Sequence, residues 1–476
     1  MNKVYDVGII GGGISGTVTA LQLANNGKDI ILFEQNNSII NGPPFCHLHA
    51  GGNLYPDISD EQCRILMKQS IEMARLFPQS IDERPTLISI PRTEKLEPNE
   101  IKRRLTMLVG FYKQLIDEDR GNEILGQVDD YFKMYDIIDL RNLSKKPRVE
   151  YPKSLDDWLC NAIKVIDYSK LKMPLFMVRE YGWNLFRLAA HAQLALESSE
   201  YCDLKTETKV TKIEDVRGKS LDHNWTIFAD KKVYKVKYLV NSAGYKADSI
   251  EKTFNFNTES LIEFKAAYIS KWDKNPGLLP EIIFHGERGT PNGMAQLTPY
   301  SGNYYQIHGM TNEITLFEGG LIKNKTAKGF FNKKILKKLN GEWKKREIYS
   351  RTRKAIKFVA RFVPSFKFAK VGGPPMFGAQ QIVGNDSSLR VAEVSFPEKF
   401  YARSEIIKAS SALTVANKIV NDVLQEDPTF TSKRNTGNPL LESVLKEEID
   451  HLAKEISTKR GYSETMANLL VQSHNF

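Results

Sequence analysis

Apolar residues near the start of the chain form two unbroken runs on either side of a segment with helical spacing. Residues 4–10 and 29–33 alternate little between apolar and polar positions, which is typical of strands buried on both faces. Residues 17–26 carry small and apolar side chains at helical spacing, and Gly27 follows as a helix C-cap. The pattern predicts a strand, a helix and a second strand, the βαβ unit of a parallel sheet.

Later segments repeat both kinds of pattern. One apolar face predicts a helix over residues 185–196, and strand-like runs separated by turns predict an antiparallel meander over 281–317. Alternation predicts a strand over 205–214, and an apolar run predicts another over 238–240. Residues 440–456 predict a helix in an appended tail, to which the sequence assigns no chemistry.

Length and composition narrow the class of protein. The 476 residues are enough for two or three domains, and 41% hydrophobic with 26% charged residues excludes collagen-like and wholly disordered chains. No apolar run approaches the length that spans a bilayer, and the first residues lack the pattern of a signal peptide. Four cysteines without paired spacing argue against a disulfide framework or a zinc knuckle, so we expect a cytoplasmic protein.

The positive charge is concentrated in one block. Residues 328–370 hold 15 Lys or Arg against Glu342 and Glu347, a local charge of +13, whereas the whole chain carries +10. A single block favours an anionic surface such as lipid headgroups over specific nucleic-acid binding. Residues 328–362 also place apolar residues between the charges, which predicts either a basic helix lying on the inner face of the plasma membrane or an ordinary solvated helix.

The motif Gly11-Gly12-Gly13-Ile14-Ser15-Gly16 joins the first strand to the first helix. Gly11 permits a tight turn, Gly13 lets the backbone approach a pyrophosphate, and Gly16 lets the helix pack closely on the sheet. Glu34 ends the second strand, where an acidic residue accepts hydrogen bonds from ribose hydroxyls. These features predict a dinucleotide site formed by Gly11, Gly13, Ile14, Ser15, Gly16, Glu34 and Gln35.

The motif alone does not separate FAD from NAD, but two further segments do. The first is the turn Val240-Asn241-Ser242-Ala243-Gly244, and the second is His49-Ala50-Gly51-Gly52-Asn53-Leu54-Tyr55-Pro56. Together with the βαβ unit, these segments resemble the D-amino-acid-oxidase-like superfamily of FAD-dependent oxidoreductases. They are most similar to its 2-hydroxyacid branch, which includes L-2-hydroxyglutarate dehydrogenase and malate:quinone oxidoreductase. The resemblance covers residues 1–425 in patches and implies FAD as the cofactor.

The resemblance also implies an α/β (α+β mixed) fold, in which a Rossmann-like FAD-binding domain is interleaved with an antiparallel-sheet substrate domain. Three ranges of residues are assigned to the FAD-binding domain: 1–90, 151–262 and 371–425. Residues 91–150 and 263–370 are assigned to the substrate domain, which includes the basic region 328–362, and residues 426–476 to the helical tail.

Further cofactor contacts follow from the resemblance. In relatives, a His-Ala-Gly element lies beside the flavin, and a helix, expected here to begin near Arg403, points its N-terminus at the flavin. The turn before that helix departs from the pattern of the 2-hydroxyacid branch, so either the helix dipole or Lys408 supplies the positive charge. The added cofactor-binding candidates are His49, Ala50, Gly51, Val210, Ala243, Gly244, Gly378 and Lys408.

A flavin oxidises an alcohol or an amine by accepting a hydride at N5, and an alcohol must also lose its hydroxyl proton. A histidine suits that proton transfer, so His49, His285 and His308 are the candidate bases. His49 is alternatively a covalent flavin tether, as a histidine there is in some relatives. A substrate carboxylate favours a bidentate guanidinium, for which Arg288 and Arg403 are the candidates.

The sequence therefore predicts an FAD-dependent oxidoreductase acting on a small carboxylate-bearing substrate, with a 2-hydroxy acid favoured. Electrons would pass to a quinone, another acceptor or O2, with the basic region as the contact to a membrane. An amino-acid or secondary-amine oxidase on the same fold is the first alternative. A flavin-binding protein without metabolic catalysis, such as an assembly or RNA-modification partner using the basic block, is the second.

Overall fold

Two large β-sheets organise the chain in the computed structural model. It describes residues 3–42, 48, 50–55, 57–251, 259–273, 277–324, 331–425 and 437–471. The strands are β1 (Val4–Ile10), β2 (Ile30–Phe33), β3 (Ile81–Asp82), β4 (Thr86–Ser89), β5 (Phe132–Tyr135), β6 (Leu175–Val178), β7 (Gly182–Trp183), β8 (Cys202–Lys205), β9 (Val210–Asp215), β10 (Trp225–Ala229), β11 (Lys232–Asn241), β12 (Ser260–Lys271), β13 (Glu281–Phe284), β14 (Ala295–Tyr300), β15 (Tyr304–Gly309), β16 (Leu321–Asn324), β17 (Lys370–Val371), β18 (Met376–Val383), β19 (Val394–Glu398) and β20 (Tyr401–Ser404).

The helices cover the two sheets and connect them. They are α1 (Ile14–Asn25), α2 (Asp60–Leu76), α3 (Pro98–Glu118), α4 (Ile137–Lys145), α5 (Leu155–Ile163), α6 (Leu185–Glu197), α7 (Ala247–Glu251), α8 (Lys333–Leu339), α9 (Lys345–Val359), α10 (Ala412–Gln425), α11 (Pro439–Glu442) and α12 (Lys446–Lys459). Among the described residues, none of these helices has the length and apolar character needed to cross a bilayer.

The first sheet has a parallel core of five strands. Its order is β20-β11-β1-β2-β8, and each neighbouring pair is parallel. β19 adds to one edge in the antiparallel sense, and β9 and β10 extend from β11. α1, α6 and α10 pack together, because their apolar side chains form one buried cluster with those of β1 and β2. The carboxyl end of β1 therefore meets the N-terminus of α1, where ligands bind in open parallel sheets.

The second sheet is mostly antiparallel. Its order is β16-β12-β15-β14-β13-β4-β6-β5, with β17 and β18 also paired to β12. Among the described residues, β13 and β4 form its one parallel pair. α4, α5 and α9 pack with this sheet through a second apolar cluster. β12 is the central element, since it pairs with four other strands.

The α/β fold class is confirmed, as are the strand at residues 4–10, the helix at 185–196 and the meander at 281–317. The strand predicted over 205–214 is wrong as one element, because β8 and β9 are separate strands with different partners. The helix expected to begin near Arg403 begins later in the chain. Arg403 lies in β20, and α10 begins at Ala412.

The predicted domain ranges differ from the observed sheets in three segments. β4, β6 and β18 fall within ranges assigned to the FAD-binding domain, yet all three belong to the antiparallel sheet. Short apolar runs buried on both faces have the same pattern in either sheet, so only strand pairing separates them. The remaining boundaries stay predictions.

The basic region has most of its apolar side chains packed against the protein, although Leu336 of α8 is 36% exposed. Phe331, Ile335, Ile356 and Val359 are each at most 5% exposed and pack against the antiparallel sheet. Most of the apolar face expected to enter a lipid layer is therefore covered by the protein itself. Its lysines and arginines remain mostly exposed, which leaves a charged surface on α8 and α9. Phe330, also part of that predicted face, lies outside the described residues.

Candidate functional site

Two glycines build the turn between β1 and α1. A Cβ atom on Gly16 would lie 2.0 Å from the carbonyl oxygen of Gly11. Gly11 has a φ of 103°, and a Cβ atom there would lie 2.4 Å from the carbonyl oxygen of Ser242. α1 then begins at Ile14, with Gly13 as N-cap and no side-chain cap. The N–H groups of the first helical turn are therefore left for a ligand.

Two features of this turn fit the pyrophosphate of FAD. The hydroxyl group of Ser15 is buried and has no hydrogen-bond partner in the described part of the chain. A Cβ atom on Gly13 would meet no protein atom within 4 Å, so the backbone there faces open space. A helix N-terminus favours negative charge, and a phosphate oxygen can accept the unused hydroxyl and N–H groups.

Glu34 holds the glycine turn from the end of β2. Its carboxylate accepts hydrogen bonds from the backbone N–H of Gly12 at 2.9 Å and of Asn36 at 2.8 Å. The neighbouring Gln35 accepts a hydrogen bond from the Nζ atom of Lys246 at 3.0 Å. Glu34 thus lies beside the dinucleotide turn, at the position where the sequence predicts a ribose contact.

A cavity extends from this turn to the antiparallel sheet. Its empty space, including the part open to solvent, is about 1630 Å³. Backbone of the glycine turn lines one part of it, and the antiparallel sheet with its loops lines another. Polar side chains of that second part are Tyr55, Lys265, Arg288, Gln296, His308, Gln380 and Arg390. The cavity therefore connects the dinucleotide turn with a polar wall on the antiparallel sheet.

An ion-pair chain lies along the cavity wall. The Nζ atom of Lys265 is 2.6 Å from Oε2 of Glu263, and Arg288 pairs with the other carboxylate oxygen. Glu263 and Lys265 are two residues apart on β12, so their side chains share one face of the strand. Glu263 is 3% exposed, and its single buried carboxylate therefore holds both cations in place.

The protein environment alters the acidity of Lys265. Burial lowers the pKa of Lys265 to about 7, and the charge of Arg390 acts in the same direction. The carboxylate of Glu263 opposes this shift of the pKa, since it stabilises the ammonium form. A lysine poised near neutrality can exchange a proton with a bound substrate.

Arg390 and Tyr55 form a second polar group on the wall. The Nη1 atom of Arg390 donates to the carbonyl oxygens of Ser387 at 2.7 Å and Leu389 at 2.8 Å. The hydroxyl group of Tyr55 is buried without a hydrogen-bond partner among the described residues. Burial raises the pKa of Tyr55, whereas the charges of Arg288 and Arg390 act to lower it. Tyr55 is therefore a neutral hydrogen-bond donor close to two guanidinium groups.

α3 fixes the loop that carries Tyr55. The guanidinium of Arg104 donates to the carbonyl oxygens of Leu54 and Tyr55, both at 2.9 Å, and of Ile58 at 2.8 Å. Arg104 is 3% exposed, so its three hydrogen bonds are shielded from water. A helix that packs in the same apolar cluster as the parallel sheet therefore positions part of the cavity wall.

The candidate histidines lie in different places. His308, on β15, lines the cavity beside Gln296 of β14. His285 follows β13 and does not line the cavity, which corrects its assignment as a base. Burial lowers the pKa of His285 to about 4, with Arg104 acting in the same direction, so the imidazole is neutral. His49 lies outside the described residues.

The assignment of Arg403 to a substrate carboxylate is also corrected. Arg403 is fully buried and binds Asp248 at 2.6 Å, together with Glu251 and Glu405. It does not line the cavity, although the next residue, Ser404, does. Its guanidinium is already neutralised by carboxylates of the protein, so Arg403 stabilises the end of β20 and is not available to a substrate.

The remaining cofactor candidates divide into two groups. Gly244 and Lys408 line the cavity, and Ala243 lies in the turn directly before Gly244. The other four do not line the cavity. Ala50 is buried, Gly51 packs against Cys63, Val210 pairs with Ala229, and Gly378 pairs with Lys265.

Lys265, Arg390 and Tyr55 are among the cavity residues that the sequence analysis did not assign. For Lys265 a signal exists: Glu263 and Lys265 are charged residues two apart in an otherwise apolar strand, which indicates a buried ion pair facing a ligand. Tyr55 lies in the segment that resembles a flavin-flanking element. Arg390 lies in a polar loop and carries no comparable signal.

Comparison with known families gives one match. Residues 6–132 match the DAO family, described as FAD dependent oxidoreductase. The matched range includes the glycine turn, Glu34, Tyr55 and α3. No curated protein sequence matches the chain.

Solved structures of flavoenzymes share the fold at low identity. L-proline dehydrogenase from P. horikoshii is 14% identical, with a TM-score of 0.56 over 91% of this chain and 96% of that one. Glycine oxidase from Geobacillus kaustophilus is 14% identical, with a TM-score of 0.54 over 90% and 96%. Glycerol-3-phosphate dehydrogenase from Bacillus halodurans, complexed with FAD, is 14% identical, with a TM-score of 0.53 over 97% and 74%.

Proposed function

We propose that this chain is an FAD-dependent oxidoreductase that oxidises a small 2-hydroxy acid at the carbon that carries the hydroxyl group; the match of residues 6–132 and the shared fold support the FAD-dependent class. When bound, FAD supplies the hydride acceptor at its N5 atom. The observation that carries the proposal is the cationic cluster of Lys265, Arg288 and Arg390 on the wall of the cavity that begins at the dinucleotide turn.

The two arginines bind the substrate carboxylate in this proposal. Arg288 is fixed by Glu263, and Arg390 is fixed by backbone carbonyls, so both guanidinium groups are oriented before a substrate enters. A guanidinium binds a carboxylate through two parallel hydrogen bonds, and Tyr55 can donate a third. Pre-oriented donors lose little conformational entropy on binding.

Lys265 takes the hydroxyl proton in this proposal. Above its pKa the amine is neutral and can accept a proton, and Glu263 then stabilises the resulting ammonium group at 2.6 Å. His308 lines the same wall and stays the second candidate for this role. The need for a base favours an alcohol over an amine, because an amine substrate can enter in its neutral form.

Anaerobic reduction of the bound flavin tests the proposal. We expect one or more 2-hydroxy acids to bleach the flavin absorbance, and the Arg288→Met variant to require a much higher concentration of the same acid. Lys367→Met, which removes an exposed cation outside the cavity, serves as the matched control. Bleaching only by amino acids or N-methyl amines, with release of ammonia or amine, would identify an amine oxidase instead. No bleaching by any of these compounds would favour a flavin protein without metabolic catalysis.

The electron acceptor is proposed to be a quinone reached at a membrane surface. The support is the exposed charge of the basic region, where Lys333, Lys334 and Lys337 project from α8. Because most apolar side chains of this region are buried, the proposed contact rests mainly on charge. Other acceptors, including O2, use the same cavity and need no membrane.

A further inference from the structure

The C-terminal segment (residues 437–471) packs on the dinucleotide side of the molecule. Ile449, Ala453 and Ile456 of α12 are at most 2% exposed and belong to the same apolar cluster as α1 and α6. Asp450 of α12 pairs with Arg187 of α6. The segment is therefore an integral part of the cofactor side and not a loose extension.

Arg460, directly after α12, reaches the loop that follows β2. Its Nη2 atom donates to the carbonyl oxygen of Ile39 at 2.7 Å and to Oγ of Ser38 at 3.0 Å. Its Nη1 atom donates to the carbonyl oxygen of Ile40 at 3.2 Å. One guanidinium thus holds three consecutive residues. Burial lowers the pKa of Arg460 to about 10, which leaves it positively charged at neutral pH.

The loop held by Arg460 forms part of the cavity wall. Ile40 lines the cavity, and its backbone N–H donates to the carbonyl oxygen of Gly12 at 2.8 Å. Ile40 has a φ of 55°, a conformation that a β-branched residue adopts only under strain. Such strain costs of the order of 1–3 kcal/mol and persists only where surrounding contacts impose it. Here the contacts are Gly12 on one side and Arg460 on the other.

The same segment also contacts the antiparallel sheet. The hydroxyl group of Tyr462 donates to the carbonyl oxygen of Pro375 at 3.0 Å, directly before β18. β18 contributes Ala379, Gln380 and Gln381 to the cavity wall. The C-terminal segment therefore connects the loop beside Glu34 with a strand on the other side of the cavity.

We propose that the C-terminal segment is a clasp for the cofactor, in which Arg460 is a positioning residue that holds the Ser38–Ile40 turn in the conformation that binds the adenosine half of FAD. The turn lies next to Glu34 and Gly12, which belong to the dinucleotide site. The proposal depends on FAD binding and is independent of the substrate.

The test compares FAD binding to apoprotein variants, followed by quenching of flavin fluorescence. We expect Arg460→Met to raise the Kd for FAD at least tenfold and to weaken binding of ADP as well, because ADP carries the adenosine half alone. Asp450→Asn is the matched control: it removes the ion pair that joins α12 to α6 but leaves the Ser38–Ile40 contacts intact. Its Kd should stay within about twofold of the wild-type value.

A second measurement separates positioning from simple stabilisation. A purely structural Arg460 would lower the Tm of apoprotein and FAD-loaded protein equally, whereas a positioning Arg460 also reduces the increase in Tm that FAD produces. If Arg460→Met does not fold, Arg460→Lys replaces it, since one ammonium group cannot hold all three residues and should raise the Kd to a smaller extent. An unchanged Kd in a folded variant, or an equal rise in Asp450→Asn, would overturn the proposal.

Discussion

Lys265 shows how a single residue acquires its chemistry from its surroundings. In water a lysine is fully charged at neutral pH, but burial and the charge of Arg390 lower its pKa to about 7. The Oε2 atom of Glu263 lies 2.6 Å from Nζ of Lys265 and stabilises the ammonium form. The balance of burial and pairing, and not the residue type, makes Lys265 a candidate base.

We predict that Lys265 sets the pH dependence of substrate oxidation. Because the neutral amine is the base and the pKa is lowered, kcat/KM should rise with pH through about 7 and then level off. Lys265→Met should remove this rise and reduce the rate by about 10²–10⁴-fold. Glu263→Gln should move the rise to lower pH, since the ammonium loses its partner. A pH profile of Lys265→Met with the wild-type rise would contradict the assignment and favour His308.

Arg403 belongs to the stability of the fold. We predict that Arg403→Met lowers the free energy of unfolding by about 3–5 kcal/mol, because Asp248, Glu251 and Glu405 lose their shared buried cation. Chemical denaturation measures this effect. Lys367→Met, at an exposed position, should change it by less than about 0.5 kcal/mol. If Arg403→Met instead raised KM strongly without a loss of stability, Arg403 would be a substrate-binding residue.

At the scale of elements, α1 and β12 bring the two ends of the cavity together. α1 presents an uncapped N-terminus beside Ser15, and β12 presents Lys265 from the opposite domain. β12 is held by four partner strands, so the position of Lys265 is fixed to the sheet and not to a loop. A rigid strand positions a charged group more accurately than a loop does.

Gly13 allows a direct test of the helix N-terminus. A Cβ atom there meets no protein atom, and its φ of −66° suits any residue, so Gly13→Ala should leave the stability of the apoprotein unchanged. The added methyl group lies where the pyrophosphate must approach, so the Kd for FAD should rise at least tenfold. Gly27→Ala, at the other end of α1, should cost about 1 kcal/mol of stability through its φ of 69° without weakening FAD binding. Equal FAD affinity for Gly13→Ala would argue against a phosphate site at this turn.

At the scale of the whole molecule, three separate parts of the chain enclose one cavity. The parallel sheet supplies the glycine turn, the antiparallel sheet supplies the charged wall, and the C-terminal segment contacts both sides. No described residue of the basic region lines this cavity, and its helices cover the antiparallel sheet. Cofactor binding and any membrane contact can therefore be tested independently.

We predict salt-dependent binding to anionic vesicles, measured by sedimentation. Each lysine near an anionic surface contributes about 1 kcal/mol at most, and screening weakens this at physiological salt. Replacing Lys333, Lys334 and Lys337 with Gln should therefore reduce binding to anionic vesicles and leave FAD affinity unchanged. Absence of binding at both low and physiological salt would remove the membrane role.

The resemblance to FAD-dependent oxidoreductases could be predicted from the sequence, and it is confirmed by the family match over residues 6–132. The reason is that the glycine turn, α1 and Glu34 lie close together in the sequence. A βαβ unit brings them together in space without depending on distant residues. The roles of individual catalytic residues were harder to predict. His285 and Arg403 carry suitable groups, but their neighbours in space bury or neutralise them.

The sequence by itself determined the dinucleotide turn, the α/β class and the candidate Arg288, because each depends on residues close together in the chain. Only the tertiary structure decided that Lys265 and Arg390 lie on the same cavity wall as Arg288. It also decided that three carboxylates neutralise Arg403, and that Arg460 binds a loop more than four hundred residues earlier in the chain. Such contacts depend on strand pairing and burial across the whole fold, and a periodic pattern of apolar and polar residues does not encode which distant segments meet.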